Sequence, residues 1–320
     1  MKCIAVLTSG GDAPGMNAAV RAVVRTACQR GIKVYGVERG FSGLLNDEMH
    51  EMNLRSVSNI ITRGGTVLYS ARCLEFKTPE GRKPALEVCK RRGIEGIVVI
   101  GGDGSFQGAR ALSLMGIPCV GIPGTIDNDI ACTEYTIGYD TCLNTITEMV
   151  DRIRDTTESH DRCSVVEVMG RRAGFLALDS GISCGATAIL VPEIEYDLER
   201  DVIERIRKFQ LTGKRHFVII VAEGIGGASE MAKRIEKETG IESRAVILGH
   251  VQRGGSPTAR DRIIASQMGN FAVNLLAQGV GNRVLAIREN KIVDFDIIEA
   301  LNMEKHIDRD ILHLAHEISI

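Results

Sequence analysis

Three short glycine-rich stretches carry side chains that could move a phosphoryl group. Pro123-Gly124-Thr125-Ile126-Asp127-Asn128-Asp129 holds two carboxylates and a hydroxyl in one short run. A sugar hydroxyl is a poor nucleophile, and a carboxylate within hydrogen-bond reach can accept its proton as a phosphoryl group arrives. The alternative is an Asx-type turn in which Asp127 and Asp129 bond only the backbone, and Asp129 is read that way. Gly101-Gly102-Asp103-Gly104-Ser105 combines backbone donors for a polyphosphate with one acid, Asp103, that could hold magnesium directly or through water. Its plainer reading makes Asp103 a helix N-cap. Thr8-Ser9-Gly10-Gly11-Asp12-Ala13-Pro14-Gly15-Met16-Asn17 permits close backbone approach to an anion and then opens a helix. A tight strand-to-helix turn would use the same glycines.

Positive charge is needed for such chemistry. The candidates are Arg72, Arg162, Arg171 in Met169-Gly170-Arg171, Arg244, and the run Gly249-His250-Val251-Gln252-Arg253-Gly254-Gly255. Each alone also reads as a surface arginine. Together with Glu223, which could accept hydroxyl bonds, they fit a phosphosugar better than a neutral ligand.

Short Val- and Ile-rich runs must position these loops. Ile4–Leu7, Gly96–Ile100, Val120–Ile122, Ser164–Val168, Ala188–Val191, Phe217–Val221, Ala245–Leu248 and Val284–Ile287 predict strands of parallel βαβ units, helix-covered on both faces. Ligands in such sheets bind beyond the carboxyl ends of strands. Met16–Arg30 predicts a helix with Met16, Ala19, Val20, Val23 and Ala27 on one face and Gly31 as its stop. Cys142–Arg154 predicts another, with Ile146, Met149, Val150 and Ile153 inward and Asp151, Arg152 and Arg154 largely outward.

With 39 basic and 41 acidic residues the net charge is -2, so no global field attracts nucleic acid or an anionic membrane. The nine cysteines contain no Cys-x-x-Cys pair and predict reduced thiols in a cytoplasmic protein. The segment from Met1 to Leu7 is too short for a signal sequence, and no apolar run could cross a bilayer. The hydrophobic content of 44% predicts an ordinary globular enzyme.

Taken in order, Gly10–Ala18, Arg63-Gly64-Gly65-Thr66, Gly101–Ser105, Pro123–Asp129, Met169–Arg171 and Gly249–Gly255 resemble the bacterial ATP-dependent 6-phosphofructokinases over essentially the whole chain. The resemblance implies an α/β protein of two Rossmann-like three-layer domains with mostly parallel sheets and the active site in the cleft between them. It implies an ATP-binding domain, 1–138 plus 251–305, and a sugar-phosphate domain, 139–250 plus 306–320. The implied reaction transfers the γ-phosphoryl group of ATP to the 1-hydroxyl of fructose 6-phosphate, the committed step of glycolysis, under allosteric control.

By the same resemblance Asp127 is the base, with Thr125 and Arg171 beside the transferring group and Gly11 and Arg72 contacting it or the nucleotide phosphates. Asp103 would serve Mg2+, while Gly102, Gly104, Ser105 and Cys73 line the nucleotide. Met169, Glu223, His250 and Arg253 would surround the sugar, in substrate loops that include Ile126, Gly170, Val251 and Gln252. Arg162 and Arg244 would reach the 6-phosphate from a neighbouring subunit of a homotetramer. An effector site for a nucleotide or phosphorylated ligand at a subunit interface is implied for Arg21, Arg25, Arg154, Gly185, Ala186, Thr187, Lys214, Arg215 and His216. Thr187 stands where a glutamate is often found and Thr212 where a basic residue is, which implies weaker or atypical activation. Pyrophosphate-using relatives typically carry an acid at the place of Gly104 and a lysine at that of Gly124. Glycine at both favours ATP, because an aspartate at 104 would obstruct a nucleotide by bulk and by charge.

Other classes fit less well. Lipid and dinucleotide kinases share a Gly-Gly-Asp-Gly loop but leave the later arginine and glutamate loops unexplained. A nicotinamide oxidoreductase would want Gly-x-Gly-x-x-Gly after the first strand, and a Walker-type loop is missing. A catalytically silent protein would be expected to lack Asp103 or Asp127.

Overall fold

The computed structural model describes residues 1–319. The chain begins with β1 (Cys3–Thr8), α1 (Met16–Gln29), β2 (Lys33–Val37), α2 (Gly40–Asn46) and β3 (Met49–Met52). There follow α3 (Pro79–Arg92), β4 (Ile97–Gly101), α4 (Asp103–Leu114), β5 (Cys119–Pro123) and α5 (Tyr139–Ser159). Next come β6 (Cys163–Val168), α6 (Phe175–Ser183), β7 (Ala188–Leu190), α7 (Glu204–Gln210), β8 (Phe217–Ala222), α8 (Ala228–Thr239) and β9 (Ser243–Ile247). The last elements are α9 (Ala259–Ala277), β10 (Arg283–Arg288), β11 (Lys291–Asp296), α10 (Ile297–Asn302) and α11 (Arg309–Ile318).

These elements form two compact units. The larger comprises Met1–Ile126, Ile130–Thr141 and Arg253–Lys305, and the smaller comprises Asp127–Asp129, Cys142–Gln252 and His306–Ile320. In the larger, seven strands run in the order β11-β10-β5-β4-β1-β2-β3. All pairs are parallel except β2–β3 and β10–β11 at the two edges. The smaller unit has a four-stranded, wholly parallel sheet in the order β7-β8-β6-β9.

Central strands have no solvent face, and their sequences show it: every residue of β1, β4, β5 and β8 is buried. Ile4, Leu7, Ile97, Ile100 and Ile122 are fully excluded from water, each adding about 1.5–3 kcal/mol of burial free energy. The eight expected strands overlap observed ones to within a residue or two. The apolar pattern left β2, β3 and β11 unmarked. Gly36 interrupts β2, and β3 and β11 are edge strands that leave most of their residues partly exposed.

Helix α1 buries all five predicted apolar positions and ends before Gly31, which takes a positive φ of 69°. Helix α5 extends further at both ends than its apolar pattern. Its polar tail is kept by Thr157, whose hydroxyl donates to the Ile153 carbonyl at 2.6 Å and pairs with the Ser164 hydroxyl. Arg154, expected to point largely outward, is half-buried and donates to the Cys184 carbonyl.

Candidate functional site

In the larger unit the strand order turns between β1 and β4: β2 lies on one side of this pair and β5 on the other. Such a switch point opens a crevice at the carboxyl ends of the strands. Thr8 stands opposite Ile100 there, so the loops Ser9–Gly15 and Gly101–Ser105 leave neighbouring strands side by side. Backbone bonds tie them, with Ser9 N–H donating to the Ile100 carbonyl at 2.9 Å and Gly124 N–H to the Gly101 carbonyl at 3.0 Å. Gly101 has no room for a side chain, since a Cβ would collide with the Ser9 carbonyl and Ser105.

Asp103 is exposed and is the first residue of α4, whose N-cap is Gly102. The plain N-cap reading of Asp103 therefore gives way. A Cβ at Gly102 or at Gly104 would meet nothing within 4 Å, so open space borders the helix start, where backbone N–H groups favour an anion. Gly124 differs. A Cβ there would lie 3.1 Å from Ile100 Cγ2 and 3.3 Å from Met16 Cε, so packing alone favours glycine.

Arg253 Nη1 donates to the Asp12 carbonyl at 3.1 Å beside Gly11, so this arginine braces the first loop. Arg72 is exposed, and half-buried Cys73 packs on the core of the same unit.

In the smaller unit the loops after β6, β8 and β9 leave adjacent strands at their carboxyl ends. The first contains Met169, Gly170 and Arg171, the second Glu223, and the third His250, Val251 and Gln252. Gly170 has φ 137° and Arg171 φ 56°, a left-handed turn that costs an arginine about 1–2 kcal/mol. It is held by Glu223 Oε1, which accepts from the Arg171 N–H at 2.6 Å. This turn brings Arg171 Nε to 3.1 Å from Asp127 Oδ2, with Asp127 fully buried.

Gln252 is also fully buried. Its Oε1 accepts from Met169 N–H at 3.0 Å and its Nε2 donates to the Gly249 carbonyl at 2.9 Å, so its amide joins two loops. Val251 is exposed and Ile126 is buried.

Arg162 immediately precedes β6 and Arg244 is the second residue of β9, so both stand at the amino ends of strands. Both pair with Glu242, Arg162 Nε at 2.8 Å from Oε2 and Arg244 at Oε1. These contacts, with Arg162 foremost, hold the Glu242 carboxyl below its ordinary range. A strand of six residues is about 20 Å long, so this pair stands at the far end of the sheet from Met169, Arg171 and Glu223.

A family model described as phosphofructokinase matches residues 3–276. The chain belongs to the phosphofructokinase family. Over 320 residues, covering both chains completely, it is 56% identical to an ATP-dependent 6-phosphofructokinase of Bacillus cereus. It is 55% identical, again over the whole of both chains, to one of Bacillus pumilus. Among solved structures, phosphofructokinase from Saccharomyces cerevisiae superposes with a TM-score of 0.89 at 36% identity, covering 100% of this chain. The chain spans 48% of that yeast chain's length.

Against this family background, the expected effector residues fall in two places. In the larger unit, Arg21 and Arg25 lie one turn apart on α1, and burial followed by the charge of Arg25 lowers the Arg21 pKa. In the smaller unit Gly185, Ala186 and Thr187 lead into β7 and Lys214, Arg215 and His216 into β8, at the amino ends of strands. Burial lowers the Lys214 pKa, and the charges of Arg154 and Arg205 lower it further. Arg215 pairs with Asp161 at 3.4 Å. Thr187 is buried, and the Thr212 hydroxyl donates to the Phe209 carbonyl at 2.8 Å, a bond within the fold.

Sequence reading passed over three supporting side chains. Asn17 donates to the carbonyls of Arg63 and Gly64 and accepts from Val67 N–H, fixing the Arg63–Thr66 loop. The signal was a polar residue inside an apolar helix face. The Ser70 hydroxyl holds the Gly10 carbonyl at 2.5 Å. The third is Glu242, whose only sequence cue was an acid beside the candidate Arg244.

Proposed function

We propose that this chain transfers the γ-phosphoryl group of ATP to the 1-hydroxyl of fructose 6-phosphate. The single observation that carries the reading is the buried Asp127 carboxylate 3.1 Å from Arg171, two residues after Thr125 in the loop that leaves β5. Asp127 accepts the hydroxyl proton as the new oxygen–phosphorus bond forms, and the bond to ADP breaks with its electron pair leaving on ADP. Arg171 is largely exposed, so its guanidinium can turn from Asp127 to the charged phosphoryl oxygens. Thr125, Gly11 and Arg72 act beside the same group. The Gly102, Asp103, Gly104 and Ser105 turn and Cys73 take the nucleotide. Met169, Gly170, Glu223, His250, Arg253 and the adjoining Ile126 and Val251 take the sugar, with Gln252 bracing that site.

Mg2+ fits this site. Asp103 is an exposed acid bordering open space at a helix start. Asp103 would hold a magnesium ion together with phosphate oxygens and water. Bound there, the ion would supply charge that neutralises the phosphates.

The placement of Arg162 and Arg244 supports an oligomer. A sugar phosphate seated at the carboxyl ends of β6, β8 and β9 lies beyond these arginines of its own chain, and a second copy supplies them. We take the assembly to be a cytoplasmic homotetramer with an effector site built from Arg21, Arg25, Arg154, Gly185, Ala186, Thr187, Lys214, Arg215 and His216. With Thr187 and Thr212 lacking charge, its activation by nucleoside diphosphate is weaker than in typical family members, or atypical. No helix among the described residues is long and apolar enough to cross a membrane.

The test offers purified protein fructose 6-phosphate and Mg2+ with ATP or pyrophosphate in parallel. Bisphosphate formed with ATP alone supports donor, acceptor and the role of Gly104 together. Turnover only with pyrophosphate refutes the donor, and none with either refutes the acceptor.

A further inference from the structure

Asp261, the third residue of α9, is completely buried in the larger unit. Its two oxygens collect four donors. Oδ1 accepts from the Tyr135 hydroxyl at 2.6 Å and from Gly138 N–H at 2.8 Å. Oδ2 accepts from Thr141 N–H at 2.9 Å and from the Thr141 hydroxyl at 2.5 Å. The Thr141 oxygen accepts in turn from Thr258 N–H at 3.0 Å, just before α9. Burial raises the Asp261 pKa and these hydrogen bonds counter it, so the carboxylate depends on its donors. The guanidinium of Arg260 covers the Tyr135 ring from 4.5 Å.

The segment that this acid grips holds the proposed catalytic loop. Ile137 N–H donates to the Pro123 carbonyl at 2.9 Å, and the Thr136 hydroxyl donates to the Thr125 carbonyl at 2.6 Å. The same segment lies against the first glycine-rich loop. A Cβ on Gly138 would fall 2.6 Å from Ala13 Cβ, and one on Gly15 would fall 2.6 Å from Ile137 Cγ2 and 3.4 Å from Asp261 Cβ. One buried carboxylate thus underlies the segment that touches both loops.

We propose that Asp261 is a positioning residue for phosphoryl transfer: by fixing residues 135–141 it sets the Pro123–Thr125 backbone, and so the placement of Thr125. This rests on reading Thr125 and Asp127 as the catalytic loop. Transfer rates are sensitive to displacements of an ångström, so the effect falls on turnover.

The test compares Asp261→Asn, Thr141→Val and Tyr135→Phe with the parent, each at an active-site concentration measured by nucleotide binding. In Asp261→Asn an amide NH2 faces donors that need an acceptor. The expected loss in kcat is about 10- to 100-fold for Asp261→Asn and smaller for the two partner variants, with the KM for fructose 6-phosphate within about twofold of the parent. Thr141→Ser, which returns the hydroxyl, recovers most of what Thr141→Val loses. Full kcat per active site in Asp261→Asn and Thr141→Val overturns the proposal, as does a lowered Tm without a change in kcat. If Asp261→Asn does not fold, the Thr141 pair decides by the same criterion. Asp127→Ser separates the two readings: inactive Asp127→Ser beside fully active Asp261→Asn removes only the positioning role, whereas active Asp127→Ser removes the catalytic loop and this proposal with it.

Discussion

The Asp127 carboxylate and the Arg171 guanidinium lie 3.1 Å apart, the acid fully buried and the arginine side chain 58% exposed. On the proposed reading, the buried acid accepts a proton while the exposed cation turns to the phosphoryl group. Asp127→Ser should therefore lower kcat by roughly 100-fold or more with little change in Tm, because general-base roles contribute on that order. Arg171→Ala should lower kcat comparably, since it removes charge-assisted bonds to the transferring group. Steady-state kinetics with ATP and fructose 6-phosphate measure both.

Gly104 can be tested without disturbing the fold, because a Cβ there meets nothing within 4 Å. Gly104→Asp is expected to keep the parent Tm and lose at least 10-fold in kcat/KM for ATP through bulk and charge repulsion. Gly124→Lys is expected to lower Tm as well, since its Cβ lands among Ile100 and Met16.

If Arg162 and Arg244 serve a neighbouring copy, a damaged chain can be complemented. Asp127→Ser and Arg162→Ser, each nearly inactive with fructose 6-phosphate at ordinary concentration, should regain activity when unfolded, mixed and refolded together. Equal mixtures with no gain would place Arg162 outside any shared site. Arg162→Ser alone should raise KM more than it lowers kcat.

Asp47 offers a pH-dependent test of stability. Its carboxyl is held below the ordinary value of 3.8, first by Arg92 and then by Arg91, at 2.9 Å from each. A lowered folded pKa contributes stability that is present above the unfolded value and lost as pH falls through the folded one. Asp47→Asn suits the left-handed φ of 58° at this position. The variant should cost at most about 1 kcal/mol at pH 7 after solvent screening, and the Tm difference should shrink below about pH 4. Thermal melts of both proteins across this range check the sign.

The thiols should react unequally. Burial pushes Cys89, Cys119 and Cys163 up to about 12 and Cys132 to about 11, so they stay protonated at neutral pH. Cys28 and Cys73 are the half-buried ones. Brief iodoacetamide treatment should label Cys73 and Cys28 alone, and ATP with Mg2+ should slow labelling at Cys73 only. Peptide mass mapping reads the result.

Much of this protein is legible in one dimension because a parallel strand buried on both faces must be apolar throughout. Ile97-Val98-Val99-Ile100 and Phe217–Val221 announce themselves in this way, and a glycine turn at the carboxyl end of such a strand marks where a ligand sits. The edge strands β3 and β11 lack that signature because they pair on one side and leave most of their residues partly exposed, and Gly36 breaks the apolar run of β2.

The amino-acid sequence by itself determined the fold class, the loops that follow the strands and the residue types fit for phosphoryl transfer, because burial and backbone approach act locally on a few consecutive residues. Only the tertiary structure decided which distant residues support those loops. Asp261 reaches Tyr135 across 126 positions, Gly138 across 123 and Thr141 across 120, and Asn17 reaches Val67 across 50. The placement of Arg162 and Arg244 at the opposite end of the sheet from Arg171 is likewise a product of strand direction and order. A buried polar group must find its partners wherever the fold brings them, and no spacing along the chain encodes that meeting.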